Sequence, residues 1–158
     1  MSNPAPENTP ENTQDPHVIL RIVSKFLIPF IALFAFYVQF HGDFGPGGGF
    51  QAGVILAASV ILYALIFGLD AAKKAFPPSW IRIGMTLGVL LYGGTGVLAW
   101  ILGGQFLNYS VLAHDAAHGQ HYGIIAIELG VLVTVATVMV AIFYAFGSRQ
   151  PDLENEDW

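Results

Sequence analysis

The chain contains no cysteine. Disulfides, thiolate metal sites and cysteine nucleophiles are thereby excluded, and the redox compartment is left open. Charge is scarce as well: 11% of the 158 residues are Asp, Glu, Lys or Arg, against about 25% in ordinary soluble domains. So few charges could not cover the surface of a soluble globule. The six basic residues form no patch, so nucleic acid is not an expected partner. No nucleophile–base pair and no haem or flavin motif stands in the sequence. Hydrolytic and redox chemistry therefore find no support, and no cofactor is expected.

What the chain has in abundance is apolar sequence, 54% of it, gathered in long runs rather than alternating. The runs cover about residues 22–40, 50–69, 81–102 and 122–146. Each matches a helix crossing a hydrocarbon core ~30 Å thick. Backbone groups in lipid must pair within their own segment, which makes helix the expected form. The predicted fold is thus an all-α membrane protein with four transmembrane helices in residues 17–149. Residues 1–16, rich in Pro, Asn, Thr and Glu, read as a disordered tail, and 150–158 as an acidic one. The first run lacks a small-residue cleavage site at its end and reads as a retained helix. The net charge of −5 belongs mainly to the tails, where Glu7, Glu11, Asp15, Asp152, Glu154, Glu156 and Asp157 lie.

All six basic residues fall on one side of this arrangement. Arg21 and Lys25 open the first run, Lys73, Lys74 and Arg82 flank the second connection, and Arg149 follows the last run. The other two connections, 40–49 and 103–121, hold no Lys or Arg. The positive-inside rule then predicts that both termini are cytoplasmic.

The segment from His41 to Phe50 carries Pro46 followed by Gly47, Gly48 and Gly49. Pro46 suits the start of a helix. Three consecutive glycines lose much backbone entropy on ordering, so something must benefit from their bareness. That benefit is either close approach of a neighbouring helix or a helix N-terminus open to water or an ion. Gly53 and Ala57 continue a small-residue face, which favours packing. No Lys-Ser or Lys-Thr follows, so a phosphate loop does not fit.

Glu128 is the only ionisable residue well inside a predicted span, roughly 9 Å along the axis from its outer end. An intramembrane carboxylate must be paired, hydrated or protonated. It is either a proton or cation relay or a hydrogen-bonded packing residue. His121, seven residues earlier, shares its face. His114, Asp115, His118 and His121 are the titratable candidates outside the membrane. They read as loop polar residues or a proton-collecting surface. As a metal site they are weak, because Gly119 interrupts helical spacing in what reads as a loop, and no metal is expected. Asp43 and His41 lie on the same predicted side. Gly84 and Gly88 form a small-xxx-small pair for helix packing, with Gly93, Gly94 and Gly96 following.

One family is similar across most of this pattern. His41-Gly-Asp-Phe-Gly-Pro-Gly-Gly-Gly-Phe-Gln-Ala-Gly53, leading into the second run, resembles the signature of the MnhB/MrpB-like family, small membrane components of the Mrp-type multisubunit cation/proton antiporters. Asn108 to Asp115, His118 to His121 and Ile127 to Gly130 resemble the same family. The likeness covers about residues 17–149. It implies an accessory, cofactor-free subunit, not an enzyme, within a hetero-oligomer of the bacterial cell membrane. The partners implied are the other Mrp subunits and membrane lipids, with Na⁺ and H⁺ exchanged by the complex as a whole. The family segment falls on Pro46, Gly47, Gly48, Gly49 and Phe50. No role for Glu128 comes from the resemblance. Related modules occur in membrane-bound hydrogenases, so the alternative is a membrane subunit of a complex-I-like energy-converting complex.

Overall fold

The computed structural model describes residues 18–42 and 45–149. Both tails, and the expectation of disorder attached to them, lie outside the described residues. The order of elements is α1 (Val18–His41), α2 (Gly49–Phe67), α3 (Leu69–Ala75), α4 (Pro78–Ile101), a 3₁₀ turn (Tyr109–Leu112) and α5 (Ala116–Gly147), with no strand among the described residues. Four of these helices, α1, α2, α4 and α5, are long and apolar enough to cross a membrane. The all-α, four-span expectation is therefore met.

The boundaries have local causes. The second apolar run stops at Gly68, whose φ of 93° suits glycine and breaks the helix. The chain then restarts as the short α3, with Asp70 in its first turn and Lys73 and Lys74 in its last. Those charges complement the helix dipole. Pro78 opens α4, where its missing N–H would be unpaired in any case. Pro46 has no such place: α2 begins at Gly49, three residues later.

The largest departure is at α5. It begins six residues before the apolar run, so His118, Gly119 and His121 are helical rather than in a loop. Gly119 does not interrupt the helix, because its bare face lies under the Tyr109 and Ser110 carbonyls. The base of the Tyr109 side chain packs against Gly123 in the next turn. Tertiary contact with the 3₁₀ turn thus outweighs the weak propensity of this polar stretch. At 32 residues, α5 is ~48 Å long and projects beyond a ~30 Å core.

Neighbouring contacts run α1 on α2, α2 on α5 and α5 on α4, so the four spans form a row with α2 and α5 in the middle. On one side of the row α2 and α5 run parallel. Gly49 meets Glu128, and Gly53 meets Leu132 and Val135, four residues further along both helices. On the other side α4 runs antiparallel to α5, with Gly84 against Thr137 and Gly88 against Thr134 and Gly130. A Cβ on Gly88 would lie 2.9 Å from the Gly130 carbonyl oxygen. The expected packing role of the Gly84–Gly88 pair has a physical partner there. Gly93 and Gly94, by contrast, face open space.

Little of each span is covered by the others. Only 11% of α1's most apolar window is buried, and Phe26, Phe30, Leu33 and Phe34 point outward. An apolar groove of about 550 Å³ runs along one face of the row, lined by residues such as Ile28, Leu56, Tyr63, Ile81 and Val140.

Candidate functional site

The parallel register of α2 and α5 brings two separate sequence features together. The end of α1, the glycine turn and the middle of α5 meet around Glu128. A Cβ on Gly42 or on Gly48 would stand 3.3 Å from Glu128 Oε1. One on Gly49 would collide with the Glu128 backbone carbonyl. Gly48 also holds φ at 114°, a region that side chains rarely adopt. The bareness of the turn therefore serves the carboxylate directly: side chains there would displace it or force α2 off α5.

The turn is braced by its own backbone. The Gly48 N–H donates to the Val38 carbonyl at 3.2 Å, and the Gly45 N–H to the His41 carbonyl at 3.1 Å. These bonds use two of the carbonyls that the end of α1 would otherwise leave without helical partners. They set the N-terminus of α2 beside Glu128. Partial positive charge from that terminus faces the carboxylate, while the negative end of α1 approaches from the other side.

Gln39, in the last turn of α1, is 2% exposed. Its Nε2 donates to Glu128 Oε2 at 3.3 Å. Glu128 itself is half-buried and borders an opening of about 380 Å³. Gly47, Gly48, Gly49, Gln51 and Ile127 line the same opening. Glu128 is level with the start of α2, which is 19 residues long, so it lies near one end of that helix and not beside its middle.

The other candidates are arranged differently. His121 is exposed two turns nearer the start of α5, ~10 Å from Glu128 along the axis. Its ring lies 6.2 Å from that of Tyr122. His118 Nδ1 pairs with Asp115 Oδ2 at 2.8 Å on an exposed surface. His114 is exposed after the 3₁₀ turn. His41 stacks on Tyr37 at 5.1 Å, and its ring borders Gly45. Asp43 lies outside the described residues. Among the described residues no three His, Asp or Glu side chains converge as a metal ion would require. Pro46 and Phe50 point outward, Phe50 with 64% of its surface exposed. Near the 3₁₀ turn, burial pushes the Tyr109 phenol up from its usual value of 10.0, and Tyr92 adds to the effect.

The sequence of this chain, from the start of α1 to most of the way along α5, matches a known protein family. The family described as "Domain related to MnhB subunit of Na+/H+ antiporter" covers residues 19–141. The chain belongs to the MnhB family. Curated relatives agree. A protein of Staphylococcus haemolyticus (strain JCSC1435), provisionally named antiporter subunit mnhB2, is 34% identical over 131 residues, 81% of this chain and 92% of its own length. The protein of the same name from Staphylococcus aureus (strain Newman) is 34% identical over 128 residues, 79% of this chain and 90% of its own. For this MnhB-family chain, the site holds two residues that sequence reasoning did not single out, Gln39 and Gly42. Gln39 was visible only as a polar residue near the end of the first apolar run. Its selection needed the knowledge that α1 ends where α5 carries its acid.

Proposed function

We propose that this chain is an accessory, multi-pass subunit of a multisubunit Na⁺/H⁺ antiporter in the bacterial cell membrane, and that Glu128 carries protons or cations at the outer end of its helices. The subunit reading rests on MnhB-family membership. It makes the chain a component of a transporter and not an enzyme, with other subunits of the complex as its partners. The family and the relatives' names favour the antiporter over a hydrogenase-type complex.

The role of Glu128 rests on one observation. The acid accepts a hydrogen bond from Gln39 and borders an open cavity lined by the glycine turn. A purely structural acid would have no use for a cavity at its carboxylate. An acid that exchanges its charge partner needs one. His121 is the next titratable group on the same face of α5. We assign it, with His114, Asp115 and His118, to the surface that passes protons between solution and Glu128. The exposed apolar faces of α1 and α4 are assigned to lipid and partner helices.

The direct test is Glu128→Gln in the whole complex, assayed as Na⁺-dependent proton movement in everted vesicles. Exchange should fall while the amount of assembled complex is kept. Unchanged exchange at normal complex content would remove the relay role. The orientation, with both termini cytoplasmic, rests on the distribution of the six basic residues. Reporter fusions in the connection after α1 and in that before α5 should both report the outer side, and inner-side signals from both would overturn it.

A further inference from the structure

Gln39 is a long polar side chain that is almost wholly buried, and only half of its amide is satisfied. Its Nε2 donates to Glu128 Oε2. Its Oε1 is buried with no hydrogen-bond partner. A buried carbonyl oxygen without a donor is costly and rare, and each instance calls for an explanation. Turning the amide over does not remove the problem. Oε1 would then face Glu128, which satisfies it only when the carboxyl is protonated. With Glu128 ionised, the amide is fully used when Nε2 donates to the carboxylate and Oε1 takes a water proton or a cation.

The surroundings fit a cation of single charge. The carboxylate supplies one full negative charge, and Oε1 supplies a neutral oxygen. The negative end of α1 lies on the Gln39 side and favours a cation there, while the positive end of α2 faces the carboxylate and weakens the site. No second acid stands beside Glu128 among the described residues, as a divalent ion would want. The cavity of about 380 Å³ reaches Glu128 and holds room for the water that an arriving ion brings.

We propose, building on the reading of Glu128 as a group in the ion route, that Gln39 Oε1 and the Glu128 carboxylate together bind a partly dehydrated monovalent cation. An ion entering from the cavity meets the carboxylate first; the amide oxygen, which is buried and does not itself line the cavity, then replaces one of its waters as the ion settles behind the carboxylate. Two protein oxygens with water make a weak site, which suits an ion that must also leave. A proton on Glu128 removes the charge that holds the ion, so the two compete for one place. The titratable groups nearest in the chain to Gln39 and Glu128 are Tyr37 and His41 at the end of α1 and His121 and Tyr122 on α5, with Arg21, Lys25 and Tyr144 towards the far ends of those helices and His118 at the start of α5, while the start of α2 carries none. Asp43 follows in the connection, outside the described residues.

The test uses the complete complex in everted vesicles with NaCl as the probe. Gln39→Met keeps the length and removes the amide oxygen together with the Nε2 donor to Glu128. It should raise the Na⁺ concentration for half-maximal exchange by about tenfold, the low end of what losing a polar partner does to metal sites. The maximal rate and the complex content should be kept. An unchanged half-saturation in Gln39→Met, with exchange still lost in Glu128→Gln, overturns the cation site and leaves the role of Glu128 standing. Unchanged exchange in both variants overturns both. If Gln39→Met does not assemble, infrared difference spectra of the wild-type complex in NaCl against choline chloride decide the matter. Na⁺ should remove a protonated-carboxyl band that is missing from Glu128→Gln, and the absence of any Na⁺-sensitive carboxyl band overturns the proposal.

Discussion

Gly49→Ala is the sharpest probe of how the site is built. A methyl group there would stand 2.9 Å from the Glu128 carbonyl carbon and 3.0 Å from Val131 Cβ, with the carbonyl oxygen closer still. Carbon atoms rest comfortably at about 3.5–4.0 Å, so α2 and α5 must separate by roughly 1 Å at this point. The neighbours are backbone and a β-branched side chain, which cannot swing away. Overpacking of this kind costs about 1–3 kcal/mol. Moving the helices apart also loosens the Gln39–Glu128 hydrogen bond, already 3.3 Å long. Gly93→Ala is the control, because nothing lies within 4 Å of its added carbon. In that helix interior alanine should be neutral or better by up to ~1 kcal/mol. The assay is recovery of intact complex after graded heating in mild detergent, followed by blotting for this chain. Gly49→Ala should lose the complex at distinctly lower temperature than wild type, and Gly93→Ala should not. Equal survival of all three would refute the claim that α2 and α5 touch through Gly49.

Phe50→Ala should leave the chain inserted and folded but reduce its recovery with partner subunits, since 64% of Phe50 is exposed within this chain; normal recovery of the complex would show that Phe50 faces lipid only. Raising the pH above about 10 should loosen the 3₁₀ turn from α5. The Tyr109 phenol is pushed up in the folded state. Its neutral form costs nothing below pH 10, and stability falls above it as the unfolded phenol ionises. Protease access to the segment before α5 should rise there in wild type, and rise less in Tyr109→Phe.

The spans were legible because lipid demands contiguous apolar length, and such length is read directly from the sequence. The glycine turn and Glu128 were each legible as oddities. Their union was not, since it depends on the parallel register of α2 and α5, a tertiary fact that no local pattern encodes. Gln39 was hidden for the same reason. The start of α5 was misplaced because polar residues around Gly119 read as loop. Only the 3₁₀ turn resting on Gly119 and Gly123 explains why the helix runs on. Gly93 and Gly94 read as contact residues, yet α4 stands at the edge of the row and offers them no neighbour in this chain.

A palisade one helix thick has no inside. Among the described residues the four spans enclose no central lumen through which an ion could travel wholly within this polypeptide. On the proposed role of Glu128, an ion leaving it would travel between this chain and whatever is pressed against it. Transport is then a property of the seam, and this chain purified alone should be electrically silent.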